Sequence, residues 1–218
     1  MRTFFRNHGL SLVMFGAFLV LLFAGQVGAG IKVDNDEREK AGEPRLSPGE
    51  YLRSAHFLEA TAENRESAFL QMSIYVFATA WLYQKGSSAS KDPRKRHPHS
   101  ARPSVTRDSP WPVQRGGWVL RIYEHSLSLG FAVLFTVAFT LHLIGGQRLY
   151  NEERLRDGEA ALTLREYATS SQFWFESFQN WQSEFLAIGS MVVLSIFLRE
   201  VNSPESKQVQ TPHWENEE

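Results

Sequence analysis

Four apolar blocks separated by charged segments set the pattern of this chain: Leu10 to Gly30, Ala68 to Tyr83, Leu127 to Gly146 and Phe185 to Leu198. The first, continued to Ile31, is long enough at 1.5 Å per residue to cross a hydrocarbon core of about 30 Å. The second and fourth are shorter, but each is preceded by a long stretch without helix breakers. After Ser54 no Pro or Gly appears until Gly86, and after Ser170 only Gly189 interrupts before Pro204. The pattern predicts an all-α membrane protein with four transmembrane helices, at about residues 10–31, 55–84, 122–146 and 171–200. A helix over 55–84 spans about 45 Å, so its first turns are expected to protrude from the bilayer.

The blocks are related. Sliding the sequence by 116 positions pairs Asp34–His97 with Tyr150–His213 without a gap, and 20 of the 64 paired residues are identical. Composition alone gives about one match in sixteen, roughly four. His8 to Leu12 returns as His125 to Leu129, one residue out of that register. The reading is two tandem two-helix repeats related by a parallel pseudo-two-fold axis along the membrane normal. Residues 1–100 form the first repeat, 101–116 a Pro/Arg-rich linker, and 117–218 the second repeat with a disordered tail.

Several local signals recur with the repeat. Asn35-Asp-Glu-Arg38 matches Asn151-Glu-Glu-Arg154, and Gly42-Glu43 matches Gly158-Glu159. Ser47-Pro-Gly-Glu50 and Thr163-Leu-Arg-Glu166 read as capping boxes, with Ser54 and Ser170 as the N-caps of the following helices. Met1 to Ala29 has the layout of a signal peptide, but its counterpart lies in mid-chain, so a retained helix is expected.

Charge sets the expected topology. Lys85 to Arg121 holds nine Lys/Arg against two Asp. The positive-inside rule places this linker, Arg2, Arg6 and both termini in the cytoplasm of a multi-pass inner-membrane protein. Net charge is −1 and mean hydropathy is −0.30, an average that hides the bunched apolar residues. No strong field points to nucleic acid, and the absence of cysteine excludes thiolate chemistry.

Candidate chemistry is sparse. His97, His99 and His213 lie in the linker and tail. His8 and His125 lie at matching helix starts, and His142 lies inside the third block, where an ionisable group invites a functional reading. Phe173, Trp174, Phe175, Phe178, Trp181 and Phe185 read as an interfacial belt or a packing face. The matched polar residues Thr61/Ser177, Asn64/Asn180 and Ser67/Ser183, continued by Gln71 and Ser73, form a candidate inter-helix seam. Asn64 and Asn180 are expected to face one another across it. No catalytic, cofactor or metal set is visible. The expected partners are the lipid bilayer and either a second copy or another membrane protein.

The segments Phe173 to Leu186 (FWFESFQNWQSEFL), Leu194 to Arg199 (LSIFLR), Ser203 to Lys207 (SPESK) and Pro110 to Trp118 (PWPVQRGGW) resemble a bacterial four-helix integral membrane protein family of unknown function. The resemblance implies four membrane helices and no assigned activity, and it supplies no catalytic residue. Glu200-Val-Asn202 departs from the more basic, Gly-containing helix exit expected of that family. The resulting expectation is a non-enzymatic structural or accessory membrane protein, with a small transporter or channel using the polar seam as the alternative.

Overall fold

The computed structural model describes residues 2–91 and 105–216. The basic run containing His97 and His99, and the terminal Glu217 and Glu218, lie outside the described residues. All regular structure among the described residues is helical.

The chain begins as one continuous rod made of α1 (Arg2–Val20), a π-helical stretch (Leu21–Val27) and α2 (Gly28–Lys40). The π stretch has a sequence cause. The matching segments at His8 and His125 stand 117 residues apart, whereas Asn35 and Asn151 stand 116 apart. One extra residue must therefore fit between them in the N-terminal rod, and widening a turn to π geometry absorbs it without breaking the helix. Next come the short α3 (Pro48–Tyr51) and α4 (Ala55–Thr79), which ends before the expected residue 84. Beyond the linker lie α5 (Trp111–Arg115), α6 (Gly117–Glu124) and α7 (Ser126–Arg156). The chain closes with α8 (Leu164–Ala168) and α9 (Ser171–Phe197).

Two helices, Phe4–Lys40 and Ser126–Arg156, are long and apolar enough to cross a membrane. Their apolar windows are almost wholly unburied, at 0% and 11%, as expected of surfaces that meet lipid rather than a protein core. Helices α4 and α9 do not meet that measure. Glu59, Glu63, Arg65 and Glu66 interrupt the first, and Glu176 and Glu184 with several amides interrupt the second.

One compact unit comprises Met1–Ala62 and Thr140–Phe173. Its local structure repeats at an offset of 116 residues. Both capping boxes form, with the Ser47 and Thr163 hydroxyls accepting from the Glu50 and Glu166 amides. Both later N-caps form too, as Ser54 Oγ accepts from Phe57 N at 3.1 Å and Ser170 Oγ from Phe173 N at 3.3 Å. Asn35 brackets Leu46, donating to its carbonyl at 3.1 Å and accepting from its amide at 2.6 Å. Asn151 treats Leu162 the same way, at 2.9 and 2.8 Å. Gly42 and Gly158 turn the chain with φ of +74° and +75°, a region that favours glycine. Tyr51 and Tyr167 are buried against the backbones of Gly30 and Gly146.

The other unit comprises Glu63–Phe139 and Trp174–Glu218. Here the tail departs from the expected disorder. Lys207, only 2% exposed, donates from Nζ to the carbonyls of Pro212, His213 and Glu215 at 2.9 to 3.1 Å. Asn216 donates to the carbonyls of Gln84, Ser87 and Ser90, and its Oδ1 accepts from Gly86 N at 2.8 Å. Polar composition suggested a solvated tail, but buried backbone carbonyls need donors, and Lys207 and Asn216 supply them. The SxxS exits also match: Gln84 N donates to Ser90 Oγ and Glu200 N to Ser206 Oγ, both at 2.9 Å.

Candidate functional site

In the second unit, polar side chains join α4 to α9 and to α7. On α4, Glu63, Glu66, Ser67 and Gln71 follow helical spacing and share one face. Glu66 is fully buried, Ser67 is 2% exposed and Gln71 is 8% exposed. Two of these residues reach α9: Asn180 donates its amide to Glu63 Oε1, and the Trp181 indole N–H donates to Glu66 Oε1 at 3.1 Å. Lower on α4, Ser73 Oγ donates to the Ser128 carbonyl of α7 at 2.9 Å.

Aromatic rings close around this polar face. Trp181 stacks edge-on against Phe135 at 6.1 Å and Phe178 at 5.4 Å, and it lies 6.4 Å from Phe139. Trp174 completes the group, 6.3 Å from both Phe139 and Trp181. Part of the expected aromatic belt is therefore a packing face between α7 and α9. Phe175 remains outside it, 65% exposed. Because Glu66 is fully buried here, leaving its carboxylate without a donor would be costly.

The seam residues divide. Asn180 is drawn into the contact, and Ser67 and Gln71 are buried on α4. Asn64 is exposed, and its carbonyl accepts from Ser67 Oγ at 3.0 Å. The expected pairing of Asn64 with Asn180 is replaced by Asn180 with Glu63, because Asn64 lies about 100° round α4 from Glu63. Ser183 is also exposed and donates back to the Asn180 carbonyl at 2.8 Å. Ser177 is fully buried, and its Oγ has no hydrogen-bond partner among the described residues. Selection by repeat matching passes over Glu63 and Glu66, whose counterparts are Gln179 and Gln182. A usable signal was present, since carboxylates inside a helix that continues into an apolar block invite a functional reading.

In the first unit, Thr61 Oγ1 accepts from Gln26 Nε2 at 2.8 Å, a bond that leaves from the π-helical stretch. His142 is fully buried, packs on Phe173 at 5.1 Å, and lies within 4.8 Å of the Glu59 carboxylate. His8 and His125 are exposed, with His8 against the Phe4 ring at 4.8 Å. His213 Nδ1 donates to the Ile196 carbonyl at 3.1 Å and serves the tail.

The charged end of the first unit is an ion-pair cluster. Arg156 grips Glu43 with two bonds, at 2.8 and 3.1 Å, and Arg38 joins Glu43 at 3.1 Å. The Arg156 hydrogen bond is the main reason the Glu43 carboxyl titrates below its ordinary value. These residues line a shallow groove of about 490 Å³ with Glu152 and Leu155. Beside it, Asp34 is 6% exposed and its Oδ2 has no hydrogen-bond partner among the described residues. Burial, and secondarily the Asp34 charge, raise the Tyr51 hydroxyl above its ordinary value, while that hydroxyl meets His56 Nδ1 at 3.1 Å.

These arrangements tie helices together and place carboxylates in buried surroundings. No curated protein and no solved structure matches the chain. A family model described as "Domain of unknown function (DUF6766)" matches residues 1–218, the full length, and the chain belongs to that family.

Proposed function

We propose that this chain is a multi-pass protein of the bacterial inner membrane with a non-enzymatic, structural or accessory role. Its four spans are two tandem two-helix copies, with both termini and the linker in the cytoplasm. Two observations support the architecture: the two long unburied apolar helices, and the hydrogen bonds that recur 116 residues apart at Leu46/Leu162 and at Ser90/Ser206. The observation that carries the role is the polar seam, where Asn180 and Trp181 direct their donors to Glu63 and Glu66. Polar side chains committed to one another hold helices in register, which is how membrane bundles use them. Alkaline phosphatase fusions at Gly86, Gly158 and the C-terminus test the topology. Activity at Gly86, or inactivity at Gly158, overturns it.

A second reading is favoured by Glu66 alone. A fully buried carboxylate within a bundle can bind a proton or a cation, as in small transporters and channels. Proteoliposome flux that is present in the native protein and abolished by Glu66→Gln decides for transport. Flux that is absent, together with bundle loosening in Glu66→Gln, decides for the structural role.

A further inference from the structure

Residues 107–123 form a feature that neither the repeat nor the seam uses. Helices α5 and α6 meet at Gly116 and Gly117, whose φ values of +68° and +60° favour glycine, and the resulting elbow opens a groove of about 470 Å³. Trp111, Gln114, Arg115 and Trp118 line it with the two glycines. Gln114 fixes the preceding loop by donating to the Arg107 and Ser109 carbonyls at 3.2 and 2.7 Å.

Helix α6 is amphipathic. Trp118, Val119, Ile122 and Tyr123 fall on one side, and Gly117, Arg121 and Glu124 fall on the other. Trp111 is 64% exposed, Trp118 74% and Ile122 52%. Only His125 separates α6 from α7, and the apolar block of α7 starts at Leu127. An amphipathic helix joined so closely to a span lies at headgroup depth, where indole rings are favoured. Arg107, Arg115 and Arg121 have no acidic partner among the described residues, although Asp108 and Glu124 are nearby in sequence.

We propose that the elbow of α5 and α6 is a binding site for the headgroup of an anionic phospholipid. The phosphate would pair with Arg115, with Arg107 and Arg121 adding positive charge from the same segment, while Trp111 and Trp118 seat among the adjoining glycerol and acyl carbons. A guanidinium suits this ligand because its fork of donors matches phosphate oxygens. Charge complementarity and depth together select lipid over a soluble partner. The inference rests on the membrane reading above.

The test reconstitutes the full chain in vesicles of phosphatidylcholine and phosphatidylglycerol in equal parts. Lipid retained after gentle detergent extraction is counted by native mass spectrometry. Phosphatidylglycerol is expected to be retained over phosphatidylcholine by on the order of tenfold or more, at roughly fivefold per arginine. Arg107→Gln, Arg115→Gln and Arg121→Gln combined should remove the preference while leaving resistance to alkaline carbonate extraction unchanged. If that variant fails to fold, the single substitutions are each expected to cost about fivefold. Equal retention of both lipids by the native chain, or an unchanged preference in the glutamine variant, overturns the site. So does displacement of phosphatidylglycerol by inorganic phosphate at similar affinity, which would make the ligand a free anion. Failure of the membrane reading looks different, because the native chain itself would then be released by carbonate.

Discussion

Gly146 and Gly130 lie on the same helix, and alanine at these two positions is expected to have opposite effects. In α7 a Cβ built on Gly146 falls 3.1 Å from the Tyr167 ring carbon Cζ and closer still to its hydroxyl. Tyr167 is 1% exposed and has little room to withdraw. Overpacking of this kind costs about 1–3 kcal/mol, against a gain of up to about 1 kcal/mol from replacing a helical glycine by alanine. The net loss for Gly146→Ala should be about 1–2 kcal/mol, a Tm fall of about 2–8 °C for a chain this long. At Gly130 nothing lies within 4 Å of the built Cβ, so Gly130→Ala should be neutral or stabilising. The equivalent pair sharpens the test. At Gly30 the built Cβ meets both the Tyr51 hydroxyl and Cζ, the latter at 2.9 Å. Removing the hydroxyl should therefore relieve Gly146→Ala more fully than Gly30→Ala. Thermal unfolding in detergent, followed by helical circular dichroism, is measured for the two double-mutant cycles, Gly146→Ala with Tyr167→Phe and Gly30→Ala with Tyr51→Phe. The first cycle should show a coupling energy on the order of 1 kcal/mol or more. Additive effects there, a neutral Gly146→Ala, or fuller rescue at Gly30 would refute the packing argument.

Other expectations follow from the same contacts. Acid should loosen the first unit, because Arg156 lowers the Glu43 carboxyl, the Ser47 hydroxyl and amide lower Glu50, and the Thr163 amide and hydroxyl lower Glu166. A carboxyl lowered by folding stabilises above its ordinary value of 4.5, and that stability is lost as pH falls through the depressed value; Glu43→Gln should flatten the Tm-versus-pH curve below about pH 4.5. Ser47→Ala and Thr163→Ala should each cost about 1 kcal/mol in thermal unfolding, and a silent substitution would mean the caps are solvated substitutes. Gly86→Ala adds a Cβ 3.3 Å from the His213 carbonyl carbon at a φ of +85°, so it and Lys207→Met should expose the tail to carboxypeptidase, with unchanged cleavage rates counting against the ordered tail. Deleting Leu22 should convert the π stretch to α-helix and turn residues 4–20 by about 100° relative to α2. Cysteine accessibility scanning reads that rotation against a background free of native thiols.

Much of the local structure was written in the sequence because its causes are local. A capping box needs only a hydroxyl and a carboxylate three residues apart, and both boxes form where Ser47-x-x-Glu50 and Thr163-x-x-Glu166 predict them. The apolar runs of the first and third blocks fixed the two long helices in the same way. The one-residue change of register between His8/His125 and Asn35/Asn151 was also present in the sequence, but its form was not. A loop, a kink or a π turn could each absorb an extra residue, and the continuous rod takes the π turn. Pairings between distant residues were beyond the sequence. Repeat matching selected Asn64 and Asn180, whereas rotation about α4 brings Glu63 and Glu66 to face α9. Likewise, Lys207 in a polar tail reads as a solvated cation until three backbone carbonyls converge on it. Spacing along the chain specifies which residues share a helical face, and only tertiary packing decides which face is buried and which donor meets each acceptor there.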